Sequence, residues 1–143
     1  MQVDFYHLTR TPVEAVLPRL VEKIMAGGKK ALLVARDGDL LNRLDEHLWR
    51  HEPASFLPHG LAGKGDEAVQ PVLLSQWAEP LNDAEFLLIA DGEWPEEDVS
   101  RFERIFYLFD QNGIDAARQR WRQITSARRY WKQDDNGRWV EGP

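Results

Sequence analysis

The run Ala31–Ala35 (ALLVA) decides the fold class, because every one of its residues is apolar. A run of that kind is typical of a strand covered on both faces, as the strands of a parallel sheet are. Phe86–Ala90 (FLLIA) and Ile105–Phe109 (IFYLF) have the same character, and Val3–Leu8 and Val72–Gln76 are two further predicted strands. The chain therefore supplies several strands suited to the interior of a sheet.

Helical segments alternate with these strands. Thr11–Glu14 (TPVE) has the pattern of a capping box, with a hydroxyl at its first position, and apolar residues at helical spacing follow it. Leu40–Leu48 has the same spacing, Pro95–Asp98 resembles the first turn of a helix, and Ile114–Ala127 is the last predicted helix. The alternation predicts an α/β fold: a single domain over residues 1–143 with an open, mostly parallel sheet and helices on both faces.

Composition excludes several classes of protein. The chain has 143 residues and no cysteine, so disulfides, thiolate catalysis and cysteine-ligated metals are excluded. No apolar run approaches the roughly 18 residues of a membrane span, and the first residues lack the basic and apolar regions of a signal peptide. We therefore expect a cytoplasmic protein with no membrane partner.

The segment Ala117–Trp139 is basic, whereas the chain as a whole is acidic. It holds seven basic residues and two acids, a net charge of +5, in a chain of net charge −6, so the remainder carries −11. The acidic remainder argues against broad binding of nucleic acid or membrane surfaces, since both are anionic. Near the end of the segment, Asp135–Gly137 (DNG) predicts a tight hairpin turn.

One patch of this segment has the composition of a binding site. Arg118, Trp121 and Arg122 are spaced i, i+3 and i+4, so a helix would bring them together. Three more cations follow the predicted helix: Arg128, Arg129 and Lys132. Arginine beside an aromatic residue is typical of interaction hot spots, and guanidinium binds carboxylate or phosphate through paired hydrogen bonds. The plainer interpretation, a solvated amphipathic helix with the indole buried, also fits the pattern.

Other site patterns are incomplete. Gly60–Gly65 (GLAGKG) is superficially like a phosphate loop, but its spacing is wrong and glycine stands where the loop needs a hydroxyl. A hydrolase using Lys64 and Asp91 is therefore an alternative without a motif. His47 and His51 are one turn apart but lack the glutamate of a zinc helix. The sequence predicts no metal, no cofactor and no catalytic residue.

A second cluster contains two large aromatic residues, Trp49 and Phe56, at a helix end and just beyond it. Either or both could belong to the core. A helix end followed by a proline-containing loop is equally consistent with a surface that contacts another protein. The sequence leaves both interpretations open.

Four stretches give the chain a resemblance to a known family: DFYHL (Asp4–Leu8), RLDEHLW (Arg43–Trp49), SFLPHGLAGKG (Ser55–Gly65) and ARQRWR (Ala117–Arg122). In these stretches and in the order of its strands it resembles the chi subunit of bacterial DNA polymerase III, a component of the clamp-loader complex. The resemblance implies a nucleotide-fold-like domain without a functional phosphate loop. It also implies a non-catalytic role in the bacterial cytoplasm, with the nucleoid reached through the replisome.

The resemblance further implies two protein partners. The first is single-stranded-DNA-binding protein. Its acidic C-terminal tail, which ends in residues of the type Asp, apolar, Pro and Phe, would bind at Arg118, Trp121 and Arg122, with additional candidates in Arg128, Arg129 and Lys132. The second is the psi subunit or a helicase, which would contact Trp49, Phe56, Pro58 and His59. Nucleic acid would then be reached only indirectly. The alternative function is direct binding of single-stranded nucleic acid by the same Arg/Trp patch.

Overall fold

Helices and strands alternate in the first part of the chain and around residues 114–123, as the sequence predicts, but not within residues 60–109. The computed structural model describes residues 1–50 and 58–142. Its α-helices are α1 (Val13–Ala26), α2 (Gly38–Arg50) and α3 (Ile114–Gln123). Its strands are β1 (Gln2–His7), β2 (Ala31–Val34), β3 (Gly60–Leu61), β4 (Val72–Ser75), β5 (Phe86–Ile89), β6 (Arg104–Phe109), β7 (Ala127–Gln133) and β8 (Trp139–Glu141).

The strands form one sheet in the order β3-β4-β2-β5-β6-β1-β7-β8. Every neighbouring pair is parallel except β7 and β8, which form an antiparallel hairpin. The turn of that hairpin runs through Asp134–Gly137, and Gly137 adopts a φ of +79° that favours glycine. The predicted mostly parallel sheet and the predicted hairpin are both confirmed.

Helices cover both faces of the sheet. Leu17 of α1 and Leu44 of α2 pack with Leu33 of β2 in one core layer. Ala117 of α3 packs with Phe5 of β1 in the other layer. The two layers confirm the predicted single α/β domain. Within the described residues, no helix is long and apolar enough to cross a membrane.

The helix predicted to begin at Pro95–Asp98 is wrong, because the structure has no helix between β5 and β6. Carboxylates bind backbone N–H groups there in ways that compete with helix formation. Glu97 accepts the N–H of Ala78 at 2.7 Å, and Asp98 accepts the N–H of Ser100 at 2.9 Å. The acids that suggested a helix start instead fix an irregular connection.

The last helix is shorter than predicted, because α3 ends at Gln123 and Ala127 already begins β7. The guanidinium of Arg128 donates from Nη1 to the carbonyl oxygens of Trp121 at 2.6 Å and Ile124 at 2.8 Å. These bonds satisfy two carbonyl groups at the end of the helix, where no further turn supplies a donor. The chain therefore leaves the helix early and enters the sheet.

The predicted Thr11 cap is also wrong in detail. The helix begins at Val13 without a side-chain cap, and the Thr11 hydroxyl accepts Nε2 of Gln133 at 3.0 Å. The carbonyl oxygen of the same buried amide accepts the backbone N–H of Arg10 at 2.9 Å. Gln133, at the end of β7, thus binds the loop that follows β1. This contact ties the loop to the strand that pairs with β1.

Candidate functional site

The arginines of α3 have no acidic partner among the residues that the structure describes. Arg118, Arg120 and Arg122 form no ion pair with any described carboxylate. Several arginines elsewhere do, and Arg10 and Arg36 each lie within 4.0 Å of a carboxylate. In a chain of net charge −6, this leaves a positive helix available to an external anion.

Trp121 is a half-buried wall on the side of α3 that faces β7. Its ring meets Phe5 at 5.1 Å between centroids and Tyr130 at 6.0 Å, both in edge-on geometry. The Arg128 guanidinium lies 4.4 Å from the indole centroid, over the ring. Trp121 therefore serves the core with one part of its ring and a cationic surface with the other. The interpretation of α3 as a solvated amphipathic helix with a buried indole therefore holds for the part of the ring that contacts Phe5 and Tyr130, but not for the part that contacts Arg128.

His7 extends this surface to the carboxyl end of β1. Its ring stacks on Phe109 at 5.1 Å, and its Nδ1 lies 3.2 Å from the Tyr130 hydroxyl. Nε2 is buried and has no hydrogen-bond partner in the described part of the chain. Burial lowers the pKa of His7 below its usual 6.5, and the charges of Arg118 and Lys132 lower it further, while Asp110 opposes them. The histidine thus senses cations from both α3 and β7.

Alternation along β7 separates the remaining predicted residues. Arg128, Tyr130 and Lys132 share the sheet face with α3, because side chains two apart in a strand point the same way. Trp131 packs in the opposite core layer, so Arg129 lies on that other face, where its Nε is 3.9 Å from Glu141. The structure therefore does not bring Arg129 to Trp121.

We call the shared face the α3–β7 basic surface, made of Arg118, Trp121, Arg122, Arg128 and Lys132. All four cations are exposed. Sequence reasoning missed two neighbours of this surface, His7 and Tyr130. The alternation of side chains along residues 128–132 could have shown that Tyr130 shares a sheet face with Arg128 and Lys132. The contact of Tyr130 with His7 could not be predicted, because no sequence pattern indicates that β1 pairs with β7.

The second predicted cluster is only partly described. Trp49 is 54% exposed at the end of α2, and its ring lies 4.2 Å from the ring of His59. His59 is buried, with Nε2 3.1 Å from a carboxylate oxygen of Asp45, and Pro58 is partly buried. Phe56 lies outside the described residues. Trp49 is therefore a surface aromatic residue that packs on the buried ring of His59.

The glycine-rich loop is occupied by the protein's own carboxylate. The N–H of Gly63 donates to Glu67 at 2.6 Å, and hydrogen bonds from the backbone of Glu67, Gly63 and Gly65 lower the pKa of the Glu67 carboxyl. Lys64 and Asp91 line different clefts. The alternative of a hydrolase built from these two residues gains no geometric support.

The carboxyl edge of the sheet, where open α/β folds bind ligands, is acidic. A cleft of about 390 Å³ there is lined by Glu14, Asp37, Asp91 and Asp110. Four carboxylates repel a phosphate group. Among the described residues, no group of three or more His, Cys, Asp or Glu side chains is arranged to hold a metal ion.

Comparison with known proteins identifies the family of the chain. The family model of the DNA polymerase III chi subunit, HolC, matches residues 1–130. The chain belongs to the chi subunit family. It is 27% identical over 126 residues to DNA polymerase III subunit chi of Haemophilus influenzae, covering 85% of this chain and 88% of that protein. It is 33% identical over 110 residues to the chi subunit of Pseudomonas aeruginosa, covering 75% of each. Family membership makes the chain an accessory subunit of a replicative polymerase.

Proposed function

We propose that the chain is a non-catalytic adaptor of the replisome, whose α3–β7 basic surface binds the acidic C-terminal tail of single-stranded-DNA-binding protein. The observation that carries the proposal is a set of arginines on α3 without an acidic partner in residues 1–50 and 58–142, beside a half-buried indole, in an acidic chain. Such a tail offers carboxylates together with an apolar end, which are the two chemical groups that this surface complements.

The energetics suit a reversible contact. Each charge-assisted hydrogen bond from Arg118 or Arg122 to a carboxylate contributes about 1.5–3 kcal/mol. Burial of a terminal phenylalanine against Trp121 contributes about 1.5–3 kcal/mol more. Ordering a flexible tail costs several kcal/mol, so these contacts alone leave only a few kcal/mol of net binding. Further bonds from Arg128 and Lys132 are needed for the about −8 kcal/mol of a micromolar complex. Salt weakens the complex, because these cations are exposed and screened.

Trp49 is the centre of a second proposed contact. An exposed tryptophan packed on the buried His59 presents a large apolar area without requiring the fold to change. We assign it, with Pro58, to the partner that connects the chain to the clamp loader, the psi subunit, or to a helicase. The two contacts lie on different elements, α2 and α3, and the adaptor acts at the replisome in the cytoplasm.

Isothermal titration calorimetry with the C-terminal peptide of the cognate single-stranded-DNA-binding protein tests the first contact. We expect micromolar affinity that falls with added salt and is lost when the terminal phenylalanine is removed. Trp49→Ala is the matched control, because it removes an exposed indole from the other surface and should leave peptide binding unchanged.

A competing oligonucleotide separates the proposal from direct nucleic-acid binding. One small basic surface on a chain of net charge −6 offers little electrostatic attraction for nucleic acid. Tight binding of single-stranded oligothymidine, with no binding of the acidic peptide, would overturn the proposed function.

A further inference from the structure

A second cleft lies on the other flank of α3. It has a volume of about 260 Å³. The connection after β5 and strand β6 line it with Glu93, Trp94 and Tyr107, and α3 lines it with Gln119, Arg120 and Gln123. We call it the Trp94 cleft. Residues of α3 recur in it at helical spacing, so one whole side of the helix faces it. None of its residues belongs to the α3–β7 basic surface.

Arg120 packs over an aromatic ring in this cleft. Its guanidinium lies 4.7 Å from the centroid of the Trp94 ring, and Trp94 meets the buried Tyr107 edge-on at 5.3 Å. The Tyr107 hydroxyl donates to the carbonyl of Gly92 at 2.8 Å. Burial raises the pKa of Tyr107 to about 12, so the hydroxyl keeps the proton of that bond. The wall behind the guanidinium is therefore fixed.

The hydrogen-bonding edge of Arg120 is unused. The side chain is partly buried, yet it makes no hydrogen bond or ion pair with any residue in the described ranges. A guanidinium packed over an aromatic ring can still donate from its N–H groups, which suit the paired oxygens of a carboxylate. Gln119 and Gln123 add amide groups one turn apart, which can pair with a peptide backbone.

The two flanks of α3 are joined by a polar ridge. At 100° per residue, Arg122 and Gln119 occupy the outward side of the helix between Arg118 on one flank and Arg120 on the other. Both ridge residues are exposed. A helix with side chains is about 10 Å across, a distance that three extended residues cover at about 3.3 Å each.

We propose that the Trp94 cleft is a second anchoring site for the same acidic peptide, one that binds a carboxylate several residues before the end of the chain. The inference rests on the proposed function, because the terminal residues must occupy the α3–β7 basic surface for the peptide to cross the helix. Arg120 binds the upstream carboxylate, and Gln119 and Gln123 bind the peptide backbone beside it. Glu93 at the cleft opposes a second negative charge.

Two peptides test the inference by calorimetry. The short one has four residues, an acid followed by an apolar residue, Pro and Phe, and the long one carries about six more residues with several acids. We expect the long peptide to bind about tenfold more tightly, the effect of one further charge-assisted hydrogen bond. Arg120→Gln should abolish that gain and leave the short peptide unchanged, and Glu93→Gln should strengthen only the long peptide.

Arg101→Gln is the matched control, since that guanidinium also lies over an aromatic ring, 5.9 Å from the Phe102 centroid, but in the connection before β6. Gln123→Ala provides a second variant that leaves the Arg120–Trp94 stack intact, and it should lose part of the same gain. Melting temperatures of all variants identify any loss through unfolding.

The outcomes separate the two proposals. If neither peptide binds the wild type, the proposed function fails. If both bind equally, or if Arg120→Gln weakens both equally, the second site is refuted while the first survives. If Arg120→Gln instead abolishes binding of oligothymidine and leaves both peptides unaffected, the cleft serves nucleic acid and the inference is overturned.

Discussion

Replacement of Arg118 by glutamine is the sharpest probe of the α3–β7 basic surface. The side chain is exposed and has no acidic partner among the described residues, so the substitution breaks no ion pair within the protein. We therefore expect the free energy of unfolding to stay within about 0.5 kcal/mol of the wild type. Any loss of binding then reports on the complex alone.

The magnitude follows from the exposure of the guanidinium. A charge-assisted hydrogen bond contributes about 1.5–3 kcal/mol, and an exposed group should lie at the lower end because water screens it. A loss of about 1.5 kcal/mol is about tenfold in the dissociation constant. Calorimetric titration of the acidic peptide at two salt concentrations measures it, and the difference between variant and wild type should shrink at the higher salt.

His7 provides an independent measurement on the same variant. Arg118 lowers the pKa of His7, so Arg118→Gln should raise that pKa toward 6.5, which NMR titration of the imidazole can follow. Arg129→Gln is the matched control, because it removes an arginine of β7 from the opposite face of the sheet. An affinity within twofold of the wild type, together with an unchanged His7 pKa, would refute the placement of Arg118 in the site.

Two further predictions concern stability. Trp121→Ala should lower the free energy of unfolding by about 2–3 kcal/mol. This is less than the roughly 3–5 kcal/mol lost with a fully buried tryptophan, because the ring is half-buried. Urea denaturation measures the loss, and a value below about 1 kcal/mol would contradict the contacts with Phe5 and Tyr130. His7 has a folded pKa below 6.5, so its contribution to stability is fully present above pH 6.5 and is lost as the pH falls from 6.5 through the folded pKa. His7→Leu should flatten the unfolding free energy over that pH range, and an unchanged slope would show that His7 is not the group responsible.

The fold was readable because burial on both faces of a parallel sheet leaves uninterrupted apolar runs. Ala31–Ala35 and Phe86–Ala90 needed no partner to be recognised as strands. Pro95–Asp98 misled because acids near a proline can serve a helix start or an irregular turn equally well. Only the position of Ala78, whose N–H binds Glu97, decides between them, and that position is a tertiary fact.

Only the helical part of the α3–β7 basic surface could be predicted from the sequence. Arg118, Trp121 and Arg122 come together through spacing that a sequence displays directly. His7 and Tyr130 are 123 residues apart, and their contact depends on the pairing of β1 with β7. Arg129 was included with the other cations because charge alone does not indicate the face of a strand.

The position of β1 in the sheet has a consequence for the order in which the protein is made. Both of its neighbours, β6 and β7, are encoded more than a hundred residues later. At about 5–20 residues per second, the first strand leaves the ribosome several seconds before either neighbour and cannot complete its ladder in that interval. Phe5 of the first strand and the indole of Trp121 in the last helix then come into contact only in a nearly finished chain, so the α3–β7 basic surface is completed late in synthesis.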